Sequence, residues 1–156
     1  MTNVSVTKRV EAPVGDVFAA FTDLENAAEN VQGIVAMEIL TDGPIGIGTR
    51  FRETRVMFGK KATEVMEIVA FDPGKAYRVK ANSCGNEYLS EFRFEPKDGG
   101  TEVTMSFNAK PITFMAKLMS PLGKLLVGTM TKCIEQDMTD MKGYAEGGGQ
   151  TAAAAG

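Results

Sequence analysis

Leu122, Leu125, Leu126, Met130, Cys133, Ile134, Met138 and Met141 recur at offsets of three, four and seven, one apolar stripe along one long helix. Lys124, Lys132, Glu135 and Lys142 fall off that stripe. Ser120 and Pro121 supply a cap and a first-turn proline, which predicts the helix over 121–143 and makes 111–119 a separate or kinked helical piece. A single amphipathic helix must cover its apolar face with something, and most of the chain before it reads as sheet.

From residue 34 to 110 the text is alternating runs separated by turn formers. Strands are expected over 34–41, 49–58, 61–71, 77–83, 88–95 and 101–109, joined as consecutive hairpins in an antiparallel meander. Gly43-Pro44-Ile45-Gly46-Ile47-Gly48 joins two strands, so it is a hairpin loop and not a phosphate loop, which would lead from a strand into a helix. Nearer the N-terminus a strand over 4–10 alternates Val4, Val6 and Val10 with polar residues. Pro13 then opens a short helix carrying Val14, Val17, Phe18 and Phe21, and Asp23 caps a second one that ends before Gly33. The helix over 121–143 would be roughly 35 Å long, and ten-residue strands reach about 33 Å, so helix and sheet match.

At 156 residues the chain fits one domain, expected over 1–144, with a flexible Gly- and Ala-rich tail over 145–156. Histidine is absent, which removes the usual general base, the Ser-His and Cys-His nucleophile pairs and the commonest metal ligand. Two cysteines far apart, Cys84 and Cys133, cannot complete a zinc site and read as small hydrophobes, so no metal and no cofactor is expected. The 17 basic residues are scattered among 20 acids for a net charge of −3, which argues against nucleic acid. No apolar run approaches a membrane span, and Met1-Thr2-Asn3-Val4-Ser5 lacks the basic-then-apolar order of a signal peptide. A cytoplasmic location is the resulting expectation; the oligomeric state is left open.

The order of strand, two short helices, six strands and long helix resembles the helix-grip superfamily, also called START-like or SRPBCC, and within it the polyketide cyclase/dehydrase type. The residues that carry the resemblance are Ala12-Pro13-Val14-Gly15-Asp16-Val17-Phe18 with Asp23, then Gly43 to Gly48 followed by Thr49-Arg50-Phe51, then Phe71-Asp72-Pro73-Gly74, and Gly99-Gly100-Thr101-Glu102-Val103-Thr104 before the last strand. Ala27-Ala28 departs from it, standing where related chains often carry a large aromatic. The resemblance implies an α+β fold: a curved seven-stranded antiparallel sheet gripping the C-terminal helix, with a cavity between them. A curved sheet and one diagonal helix meet along a line, and the space left over must be filled by side chains, water or ligand.

Strand alternation nominates the pocket lining. Tyr77, Val79, Ala81 and Ser83 share one face, as do Tyr88, Ser90, Phe92 and Phe94, and Val103, Met105, Phe107 and Ala109. With Phe51, Met66, Ile68, Leu126, Met130 and Cys133 these are the candidate ligand-binding residues, although any one of them could be plain core packing. Tyr77 and Tyr88 could offer a hydroxyl to a ligand carbonyl. The strand over 49–58 is ambiguous. If Phe51 faces inward, so do Glu53 and Arg55, and Glu64 on the next strand could join them in a polar site. Buried charge is costly unless paired, so solvated charges on the outer face are the default reading. Asp137 lies within the helix's apolar stripe and could act as a general base if desolvated; a place near the helix end, at the water boundary, is the default.

The resemblance is what makes ligand the favoured filling, and it implies a carrier or sensor of a small apolar ligand such as a lipid, polyketide or aromatic metabolite. A cyclase/aromatase-like enzyme using Tyr, Glu or Arg acid–base groups is the rival, with no catalytic residue assignable. A protein-interaction domain with a collapsed pocket, as in co-chaperone members of the superfamily, is the third reading.

Overall fold

The computed structural model describes residues 2–57, 59–83, 85–115, 117–118 and 127–148. β1 (Thr2–Val10) leads into α1 (Val14–Phe21), a 3-10 turn (Leu24–Asn26) and α2 (Ala27–Asn30). Six strands follow: β2 (Ile34–Ile39), β3 (Arg50–Met57), β4 (Lys60–Asp72), β5 (Ala76–Ser83), β6 (Asn86–Lys97) and β7 (Gly100–Pro111). α3 (Val127–Gly143) and a π-helical turn (Tyr144–Gly148) complete the described chain. The strands pair antiparallel in the order β1-β7-β6-β5-β4-β3-β2, giving the expected curved seven-stranded sheet with the C-terminal helix across it. The expected first turns of that helix, with Leu122, Leu125 and Leu126, lie outside the described residues, as does Cys84.

Several strand ends differ from expectation by one or two residues, and two boundaries change the reading. Pro96 does not belong to the β6–β7 turn but to β6, opposite Thr101, and the turn contracts to Asp98 and Gly99. Both have positive φ, 50° and 80°, the conformation whose twist matches that of a two-residue hairpin. The domain also continues past Tyr144. Ala145 is 2% exposed, and the Glu146 carboxylate accepts the Glu11 backbone N–H at 2.7 Å. The segment expected to begin a tail at 145 therefore starts as part of the domain.

The sheet has two unlike ends. At the end bearing α1, aromatic rings fill the space between layers. Phe18 stands edge-on to Phe71 at 5.3 Å and Phe94 at 5.1 Å, and Tyr77 stacks on Phe92 at 4.7 Å. Polar groups caught there are satisfied. The Tyr77 hydroxyl donates to the Phe21 carbonyl at 3.2 Å and the Thr101 hydroxyl to the Ala12 carbonyl at 2.9 Å. The opposite end gathers the β3–β4 and β5–β6 turns, the start of β1 and the end of β7.

Candidate functional site

Along β5, β6 and β7 coverage of the inner face falls toward that second end, while Val4 of β1 stays buried there. On β5, Tyr77, Val79 and Ala81 are buried and Ser83 is half-buried. On β6, Phe94 is buried, whereas Phe92, Ser90 and Tyr88 are half-buried. On β7, Val103 and Met105 are buried and Phe107 is half-buried. α3 repeats the gradient: Ala145 beyond its end, Met138 and Ile134 are buried, while Met130 and Val127 are half-buried. Tyr88 and Phe107 stack on each other at 5.8 Å, neither sealed from solvent. Alternation fixes which side chains face inward, and what packs over each decides how well it is covered.

Among the nominated lining residues, Phe51, Ile68, Tyr77, Val79 and Met105 are core members. Met66, Tyr88, Ser90, Phe92, Phe107, Met130 and Cys133 form the half-covered set. Leu126 lies outside the described residues. The Tyr77 hydroxyl is engaged with the backbone, and burial, with the nearby Glu53 charge, pushes its pKa far up, so it presents no hydroxyl to a ligand. The open clefts that the described residues define include one of about 390 Å³ between the 3-10 turn and the β2–β3 loop and one of about 310 Å³ over β3–β5; neither is the space under α3.

The ambiguous strand resolves inward. Phe51 is buried, which carries Glu53 and Arg55 to the same face. The Arg55 guanidinium donates through Nε to Glu53 and through Nη1 to Asp137, both at 2.8 Å. Only 20%, 12% and 24% of the Arg55, Glu53 and Asp137 side-chain surfaces reach solvent, so the outer-face reading is wrong for these groups. Asp137 is correspondingly not a helix-end residue at the water boundary: it ties the body of α3 to β3. Glu64 stands opposite Glu53 in the ladder, yet no ion pair joins it to Arg55 among the described residues. The third member expected from β4 comes from the helix instead.

Burial pushes the Asp137 carboxyl up to about 6, the Arg55 contact offsetting part of the rise. Burial works against the Arg55 charge, but Glu53 and Asp137 outweigh it and hold the guanidinium protonated more firmly than usual. One turn along, Asp140 accepts the backbone N–H of Gln32 at 3.0 Å and its side-chain amide at 3.2 Å. Gly33 passes so close that a Cβ there would lie 3.3 Å from Arg55 Nη1 and 3.5 Å from Asp137 Oδ1. Farther along still, the Tyr144 hydroxyl donates to Asp23. Asp137, Asp140 and Tyr144 are spaced by three and four, a polar row that helical periodicity could have exposed.

A family model described as polyketide cyclase/dehydrase and lipid transport matches residues 1–146. Comparison with curated protein sequences gives no significant match. Among solved structures, TTHA0849 from Thermus thermophilus superposes with a TM-score of 0.74 at 21% identity, covering 92% of this chain and 97% of that one. Ara h 8.0201 gives 0.73 at 19%, again covering 92% and 97%. The Zhui aromatase/cyclase from Streptomyces sp. R1128 gives 0.70 at 18%, with 94% of each chain covered. Likeness at these identities speaks for the fold, and the family match extends from β1 to the turn that follows α3. The chain belongs to the polyketide cyclase/dehydrase and lipid transport family of the helix-grip, or START-like, superfamily.

Proposed function

We propose that the protein binds a small apolar molecule, such as a lipid, polyketide or aromatic metabolite, between the sheet and α3, as a carrier or sensor. The observation that carries this reading is the falling coverage of the inner face: Met66, Tyr88, Phe107 and Met130 point inward, are apolar over most of their surface, and are only half-buried. Covering such surface with a ligand is worth ~25 cal/mol per Å² before the costs of association. Arg55 with its two carboxylates would supply the polar end that orients the molecule.

Native mass spectrometry followed by denaturing extraction tests the reading directly, and an apolar fluorescent probe makes it quantitative. Ser90→Trp fills the half-covered region from the middle of β6. It should weaken probe binding by about tenfold or more while leaving the thermal midpoint nearly unchanged. A clean apo mass together with no probe binding would sink the proposal.

The Arg55 cluster favours a second reading, a cyclase-like enzyme. A carboxyl raised to about 6 by burial is close to neutrality, where a general base works best. Asp137→Asn separates the two: it would abolish turnover of a poly-β-ketone substrate but leave apolar binding largely intact.

A further inference from the structure

The half-covered end of the sheet has a second property that ligand binding does not require. The segment after β7 docks there, with Ile112 and Thr113 donating their backbone N–H groups to the Gly85 carbonyl at 2.9 and 3.2 Å. A helical turn follows, Lys117 N–H to Thr113 carbonyl at 2.9 Å. It presents large apolar side chains to solvent: Phe114 is 78% exposed, Met115 64% and Leu118 62%. Exposure on this scale, in neighbouring positions of one turn, marks an interaction surface.

Charge names the partner. No Asp or Glu occurs from Val103 to Ile134, although the chain as a whole carries −3. Lys110 and Lys117 lie in that stretch and are exposed. The β3–β4 hairpin runs past Met66–Ala81, the outermost β4–β5 pair, to its tip at Met57 and Lys60, bringing exposed Lys60 and Lys61 to the same end. None of these four lysines forms a salt bridge among the described residues. The acid opposite Lys110 in the ladder is Glu87, already paired with Lys80 at 2.9 Å. Asp42, Asp72 and Asp98 sit at the opposite end, in or beside its turns. The opposite turns carry Lys75 beside Asp72 and Lys97 beside Asp98, so the excess of cations, with the bare apolar groups, lies at this end.

We infer that this end docks onto an anionic lipid surface. Phe114, Met115 and Leu118 enter the boundary between headgroups and acyl chains, while Lys60, Lys61, Lys110 and Lys117 reach lipid charges on long stems that follow the apolar groups down. An acidic protein would satisfy the lysines but would have to supply a matching apolar groove for a protruding turn. A lipid surface takes both without a shaped partner. The inference stands on exposure and charge, not on the pocket, so it fails or holds independently of the ligand-binding reading.

Flotation of the full chain with phosphatidylcholine vesicles, with and without about one third phosphatidylserine, is the test. Binding should require phosphatidylserine and weaken as salt shortens the Debye length. Lys110→Ser combined with Lys117→Ser should lower partitioning about 30-fold, and Phe114→Ser about tenfold or more. Lys97→Ser at the opposite end should change nothing. Circular dichroism of each variant guards against unfolding, and exposed positions of this kind rarely cost stability. Absence of binding to anionic vesicles would overturn the inference, as would binding indifferent to the apolar and lysine substitutions. Capture by polyglutamate without vesicle binding would also overturn it, in favour of an acidic protein partner.

Discussion

Asp137 is pulled two ways, and replacing it by Asn measures which force wins. Burial raises its pKa, while the 2.8 Å contact with Arg55 lowers it; the balance lies at about 6, against an ordinary 3.8. That gap corresponds to about 3 kcal/mol between the protonated and ionised forms. The folded protein thus holds this proton more tightly than the unfolded chain does. Protonation favours folding, so the contribution of Asp137 to stability is fully present below the unfolded pKa and is lost as pH rises through about 6. Glu53 and Asp140 face the same group and push in the same direction, while Arg55 stays charged throughout. Asn keeps the shape and one acceptor for Arg55 but does not titrate. Urea denaturation of both proteins should show the stability difference, native minus Asn variant, growing by about 2 kcal/mol between about pH 7.5 and about pH 4.5. Taking the difference cancels the other carboxylates, several of which, such as Glu87 and Glu91, are held low by neighbouring cations and lose stabilisation in acid. Parallel pH curves would show that Arg55 neutralises the burial cost completely. A difference that shrinks in acid would mean the ion pair dominates, and the reasoning from desolvation would be refuted.

Two further substitutions probe the closed end. Thr101→Val deletes the buried donor to the Ala12 carbonyl and should cost about 1–2 kcal/mol in urea denaturation, because the carbonyl is left without a partner. Gly100→Ala would set a Cβ 2.8 Å from the Val10 carbonyl oxygen and 2.8 Å from Arg9 Nη2. The guanidinium can move but the strand cannot, so a loss of about 2 kcal/mol is expected, seen as a lowered thermal midpoint without a change of fold.

What the sequence discloses follows from how far each signal reaches. Strand alternation, turn formers and the helical stripe are local, and they are enough to order the elements and to name the inner-facing residues of β5, β6 and β7. The turn at Asp98 and Gly99 is tighter than expected because Pro96 reads as a turn former, whereas at a hairpin's end its missing N–H is tolerated. The facing of β3 is not readable locally, since Glu53 and Arg55 alternate with Arg50 and Arg52 and charge lies on both faces. The residue that decides it, Asp137, is 82 positions away from Arg55. Glu64 is the partner that sequence suggests because it lies on the neighbouring strand. A strand partner can be inferred from register; a helix partner requires the crossing angle, which no local pattern encodes.

The contrast between the two ends of the sheet explains why the fold and its use are separable. Phe18, Phe21, Tyr77 and Phe94 interlock where α1 and the end of α3 close the sheet, and the buried threonine and tyrosine hydroxyls are spent on backbone carbonyls there. Packing is concentrated in that half, and the other half carries half-covered Met66, Tyr88 and Phe107 inside and exposed Phe114, Met115 and Leu118 outside. The Arg55–Asp137 tie holds α3 to β3 between these regions, so that the helix is fixed by charge as well as by apolar packing. Substitutions at the aromatic end should therefore lower stability and leave binding affinity unchanged in the molecules that remain folded, whereas substitutions beyond the tie should do the reverse.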